Sequence, residues 1–307
     1  MLTPTHSRAA ARRALVAISL TAVAGLVVTA CGGSTSSAGM PGNHGATTAA
    51  PAAPGSNQDS MPGMADMPTG DGLTADASGF RFAPVTSSLP TGQPTSFQFR
   101  ILDADGKPVT AFEPNQTKLM HFYLIRSDLT GFQHVHPSLS PDGTWTASLA
   151  PAQPGTYRAY ASFITTDASG KTVPLVLGQP LTVPGAATPT PLPPAAPTTQ
   201  VDGYTLTLSD DQLRAGVAHP LTVTVSKDGQ PVTNLQPYLD TYAHLTAFHD
   251  PDLAFAHLHP HGTVNGDHGG PTLSFEAMLP KSSNWRLFLQ FQTAGVMHTA
   301  AITLSIG

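Results

Sequence analysis

Beyond residue 95 the chain is built from short runs in which polar and apolar side chains alternate. FQFRILD (97–103), TWTASL (144–149), TYRAYASF (156–163), LTVTVSKDG (221–229) and NWRLFLQF (284–291) all follow the two-residue period of a strand with one buried face. Asp-Gly pairs at the ends of two of these runs suit tight reversals of direction. The 3.6-residue period of an amphipathic helix is sustained nowhere. Turn residues recur about every 8–12 positions, which predicts about seven strands in each half of the chain. The expected fold is all-β: two tandem immunoglobulin-like or cupredoxin-like β-sandwich domains behind a disordered N-terminal tether.

The two halves are copies of one unit. DADGKPVTAFEP (103–114) matches SKDGQPVTNLQP (226–237), and LMHFYLIRSDLTGFQHVHP (119–137) matches YAHLTAFHDPDLAFAHLHP (242–260). Both pairs are displaced by the same interval, that from His121 to His244. TYRAYASF and NWRLFLQF are displaced slightly further, which leaves room for an insertion, HGTVNGDHGGP (261–271), in the second copy. The expected boundaries are 1–30 for a signal segment, 31–72 for a Met/Pro/Gly-rich tether and 73–184 for the first sandwich. A Pro-rich, semi-rigid linker at 185–200 and a second sandwich at 201–307 follow.

Composition narrows the partners. Only 11% of the 307 residues are charged and the formal net charge is -5. Outside Arg8, Arg12 and Arg13 there is no basic cluster, so no nucleic-acid partner is expected. Those arginines precede an apolar run, ALVAISLTAVAGLVVTA (14–30), that has the form of a secretory signal. Val28-Thr29-Ala30-Cys31 resembles a bacterial lipobox, and Cys31 is the one cysteine of the chain. Lipidation of Cys31, by diacylglycerol and palmitate, would tether the protein to the extracytoplasmic face of the cell membrane. With that thiol used, a metal site has to be built from His, Met, Asp or Glu.

The histidines supply the candidate. If KLMHFYLIR and FQHVHP pair as a hairpin with Arg126 facing Gly131, His121 lies opposite His136 and Tyr123 opposite His134. His121, His134 and His136 then share one face. In the second copy His244 lies opposite His259, with His257 on the same face. Neutral imidazole suits copper, zinc and nickel, and three imidazoles leave a fourth position open. Strand pairing is what assembles them, so a one-residue slip would scatter them. His249, His261 and His268 are additional candidates. In the tether, Met61, Met64 and Met67, with Met40 and His44, offer soft thioether donors that select Cu(I). Met120-His121 and Met297-His298 are further mixed pairs.

Tandem H…HxHP sandwiches behind a lipobox and a Met/His-rich tether resemble secreted actinobacterial lipoproteins of heavy-metal, mainly copper, handling. That resemblance implies a binding protein that buffers copper or hands it to a metal transporter or acceptor protein. The QHVHP strand is also similar to the copper-binding His-x-His strand of Cu/Zn superoxide dismutases. The first copy, however, has no further histidine after His136 and the chain has no disulfide pair, which argues against dismutase activity. Three functions are thus in play. The leading one is a lipid-anchored, non-enzymatic metal-binding protein, with copper as the expected ion and zinc as the other candidate. The second is a structural or adhesive envelope lipoprotein in which the histidines pack. The third is a metal-dependent enzyme, for which Glu113 and Asp128 are the nearest acid–base candidates.

Overall fold

The computed structural model describes residues 68–209 and 213–307. The signal segment, Cys31, Met40, His44, Met61, Met64 and Met67 lie outside these residues. The described chain is all-β, as the alternation predicts. In the first repeat β1 (Asp76–Ala77), β2 (Phe80–Pro84), β3 (Thr95–Leu102), β4 (His121–Arg126) and β5 (Gln133–Val135) are followed by β6 (Ser138–Leu139), β7 (Thr144–Leu149), β8 (Gly155–Thr166) and β9 (Thr172–Val183). In the second come β10 (Thr198–Val201), β11 (Tyr204–Ser209), β12 (Ala218–Lys227), β13 (Gln230–Pro231) and β14 (Ala243–His249). They are followed by β15 (Phe255–His261), β16 (Thr272–Met278), β17 (Ser283–Thr293) and β18 (Val296–Ile306). There are more strands than the pattern predicts because β1, β6 and β13 are two-residue pairings, too short to leave an alternation.

The first repeat is a sandwich of two sheets, β1-β2-β3-β7-β6 and β5-β4-β8-β9. In the second, the corresponding sheets are continuous, in the order β10-β11-β12-β16-β15-β14-β17-β18 with β13 on β12. The difference lies in one strand. β15 pairs with β14 through Phe255–Leu258 and then with β16 through His259–His261. Its counterpart in the first repeat breaks between β5 and β6, at His136-Pro137. Each sandwich has its own core: Phe97, Phe99, Phe122, Leu124 and Trp145 in the first, Leu245, Ala247, Phe275, Trp285 and Leu287 in the second.

β4 and β14 are buried on both faces. Their outer faces meet each other. Tyr123, Ile125, Leu129, Tyr160 and Val176 of the first repeat pack with Phe248, Phe255 and Phe288 of the second in a third apolar cluster. Phe132 stacks on Phe288 at 4.2 Å, and Tyr160 meets Phe255 at 5.6 Å. Phe255 is the counterpart of Phe132, and Phe288 of Tyr160. The contact therefore recurs with its partners exchanged, the signature of a two-fold-related pair. The two repeats belong to one compact unit.

Two connecting segments behave differently from the sequence expectation. The Pro-rich linker does not hold the repeats apart. The Asp128 carboxylate accepts from the Thr190 N–H at 2.8 Å, and Leu192 packs on the apolar seam. Residues 69–72, expected within the tether, are bonded to the sandwiches. The Thr69 N–H donates to Pro174 O and the Val176 N–H donates back to Thr69 O, while Asp71 O accepts from the Phe255 N–H. Glycine permits this approach: a Cβ on Gly178 would lie 1.9 Å from Gly72 O, and one on Gly72 would lie 2.3 Å from the Tyr160 ring.

Candidate metal centre

The hairpin register is the one on which the site depends. Tyr123 pairs with His134 and Phe122 with Val135, so His121 and His136 face each other just past the last paired residues. In the second repeat Leu245 pairs with Leu258 and Thr246 with His257, which sets His244 opposite His259. Phe122 and Leu124 point into the sandwich core, so His121 and Tyr123 point into the seam.

His121, His134 and His136 converge. One ring nitrogen of each lies within 4.8 Å of those of the other two, and this is the one such group of three among the described residues. His121 is 1% exposed, and the other two are half-buried. His121 Nδ1 lies 3.0 Å from His134 Nε2. The outer nitrogens of the same rings face oxygens: His121 Nε2 is 2.9 Å from Asn115 O and His134 Nδ1 is 2.6 Å from Gln290 Oε1. Gln290 reaches across from β17 of the other repeat, its amide nitrogen turned to Thr299 Oγ1.

This network assigns the tautomers. A backbone carbonyl accepts only, so His121 Nε2 carries the proton. With the Gln290 amide oriented so that its nitrogen meets Thr299 Oγ1, its Oε1 takes the proton of His134 Nδ1. A neutral imidazole has one N–H. His121 Nδ1 and His134 Nε2 therefore present lone pairs to each other across 3.0 Å. A cation between them turns that repulsion into attraction. At metal–nitrogen distances of about 2.0–2.1 Å, two donors so spaced subtend roughly 95°. His136 Nε2 is buried beside them without a hydrogen-bond partner.

The alternative remedy, a second proton on the pair, is disfavoured by burial. Desolvation, then the neighbouring His121 and His136, holds His134 well below its ordinary pKa. Desolvation also lowers His121, against the pull of the Asn115 carbonyl. Desolvation, then His121 and Lys118, lowers His136 to about 3. The triad stays neutral near pH 7, the state in which imidazole ligates a metal.

The second set of three is arranged differently. His244 stacks between the repeats, 4.6 Å from the His134 ring, 5.5 Å from His121 and 4.7 Å from His257. Its Nε2 is 3.0 Å from Tyr123 Oη. His259 lies 5.2 Å from His257, and this set does not close as the first does. The two sets, expected one in each domain, adjoin at the seam, where His244 stacks on His121 and His134.

The remaining candidates lie apart. His249 is an odd number of residues from His244 and faces the core against Trp285. Its ring nitrogens are bonded to the Asp252 carboxylate and Ser282 O. His261 is exposed beside Glu276, and His268 is exposed on the insertion. Met120 is in the first core, and His298 is held between Asp202 and Thr293. Glu113 bonds Thr172, while Asp128 pairs with Arg126, so neither carboxylate is at the triad. Sequence reasoning missed Gln290, Asn115 and the role of Tyr123. The one signal for Gln290 is its place on the outer face of NWRLFLQF, between the apolar Leu289 and Phe291.

No curated protein matches this chain. Among solved structures it is similar to FdeC, an Escherichia coli adhesin, at 15% identity over 76% of this chain and 67% of that one, with a TM-score of 0.24. It is similar to the Yersinia pseudotuberculosis adhesin InvE at 15% identity over 74% of this chain and 59% of that one, TM-score 0.21. A Salmonella alpha-2-macroglobulin shares 10% identity over 78% of this chain and 15% of its own length, TM-score 0.26. The family match is direct: over residues 75–178 and again over 199–307, the chain belongs to the DUF8832 family, a domain of unknown function.

Proposed function

We propose that this protein binds a transition-metal ion at His121, His134 and His136, as a binding protein rather than an enzyme. Copper is the expected ion and zinc the other candidate, because both accept neutral imidazole. The observation that carries this reading is the convergence of three ring nitrogens within 4.8 Å of one another, with an oxygen behind the His121 ring and another behind the His134 ring. Lipidation at Cys31 would place the site on the extracytoplasmic face of the cell membrane. Met61, Met64 and Met67 would then capture Cu(I), for buffering or for transfer to a transporter or acceptor protein.

The test is titration of the full-length, chelator-stripped protein with Cu(II) or Zn(II) against a competing chelator. The wild-type protein is expected to saturate. His134→Ala with His136→Ala is expected to weaken binding at least 100-fold, since one imidazole remains. Unchanged affinity in the double variant would refute the assignment. Gln290→Leu is expected to lose about 10–100-fold by freeing the His134 tautomer, while Gln290→Glu, which keeps an acceptor, retains affinity.

A second reading has its own support. The aromatic seam locks two sandwiches into one body with no ion required. That suits a structural or adhesive envelope module in which the imidazoles pack and hydrogen-bond. It needs nothing beyond the fold, and absence of saturable metal binding would favour it.

A further inference from the structure

We propose that His244 and His257, with His259 beside them, build a second cation site across the seam from the first, suited to a singly charged, low-coordinate ion such as Cu(I). This rests on metal binding at the first triad. His244 is 0% and His257 4% exposed. His244 Nδ1 and His257 Nε2 are both buried with no hydrogen-bond partner. A buried polar atom left unpaired costs about 1–3 kcal/mol, and native proteins rarely keep two on adjacent rings. These rings are 4.7 Å apart.

The far nitrogen of His244 is already tied to Tyr123 Oη, as the far nitrogens of His121 and His134 are tied to oxygens. Such an outer partner is what orients a ligating histidine. Tyr123 carries a hydroxyl that donates or accepts, so His244 Nδ1 presents its lone pair inward when Tyr123 Oη accepts from the Nε2 proton.

The two sites are not equivalent, and the sequence shows why. Gln290, which bonds His134, has Ser162, paired with His121, as its counterpart in the first repeat, and among the described residues no side chain is bonded to His257 as Gln290 is to His134. Tyr123, which fixes His244, has Thr246 as its counterpart, and Thr246 Oγ1 is itself buried without a partner. The second set is therefore less constrained, and its third ring, His259, stands 5.2 Å from His257 rather than closing on His244. Two imidazoles match the low coordination number of Cu(I). The position of His244 against both His121 and His134 matters as well. Only rings separate the two ions, so a single charge in the second site costs far less repulsion than a double one.

The experiment is an anaerobic Cu(I) titration of the full-length, stripped protein against a chromophoric chelator. Two histidine-dependent equivalents are expected, the second at least 10-fold weaker. His257→Ala should remove the weaker equivalent and leave the tighter one unchanged, and His257→Gln should do the same while filling the space. His134→Ala with His136→Ala should remove the tighter one. A weaker equivalent that survives in both His257 variants lies elsewhere and overturns the inference. A single equivalent lost only in the His134/His136 variant also overturns it, while leaving the first site standing. No binding in any form removes both.

Discussion

Phe248→Ala is expected to destabilise the protein by about 3–5 kcal/mol, the range for truncating a fully buried phenylalanine. Phe248 is 0% exposed and touches Tyr160, Phe255 and Phe288 at ring distances of 5.3, 5.7 and 5.9 Å. It belongs to the seam, not to either sandwich core, so the loss falls on the coupling between repeats. Each repeat carries one of the two tryptophans, Trp145 and Trp285, both buried. Trp145→Phe and Trp285→Phe variants therefore report one repeat at a time in urea. The two fluorescence transitions are expected to coincide when Phe248 is present and to separate when it is alanine. Val85→Ala, at a residue 70% exposed, should stay within about 0.5 kcal/mol. A loss below 1 kcal/mol in Phe248→Ala, or transitions that stay coincident, would contradict the seam.

The seam is also where sequence reasoning stopped short. The hairpin register was legible because the repeat sets it twice: two unlike sequences place their histidines identically around a tight turn. Period-two alternation says which residues share a face, but not what covers that face. HFYLI in β4 and AHLTAFH in β14 carry large or apolar residues at successive positions, the pattern of a strand buried on both sides. That signal was present, yet a Pro-rich linker argued for separated domains. Asp128 overrides the linker's stiffness by holding its backbone at Thr190. Gln290 and Asn115 were not legible, because they act through positions far from the histidines in sequence, Asn115 through its backbone oxygen alone.

In chelator, the apo-protein is expected to unfold reversibly between about pH 5 and 4, and the buried imidazoles are the cause. In an unfolded chain each histidine takes a proton near pH 6.5. In the folded protein desolvation, then the surrounding imidazoles, keeps His244 and His257 well below that value, and desolvation lowers His121. Below pH 6.5 the unfolded state therefore binds more protons than the native one, so stability falls as pH falls. It is complete above about 6.5 and is lost progressively toward the folded-state values, of which His136 marks about 3. Each fully shifted imidazole contributes about 1.4 kcal/mol per pH unit. His134, His244 and His257, the three held well below the ordinary value, together approach about 4 kcal/mol per unit, against a total stability of about 5–15 kcal/mol. The ion-paired carboxylates do not share this window. Asp252 has desolvation working to raise it, but hydrogen bonds from Lys281, His249 and the Ala254 N–H bring it down to about 2, so its stabilisation is lost only at lower pH. A metal ion requires the neutral rings, so loaded protein should hold its fold to lower pH than stripped protein. Urea midpoints measured from pH 7.5 to 4.5 would show the slope, and His257→Phe should flatten it. A midpoint constant across that range would mean that the buried imidazoles do not stay neutral in the folded chain.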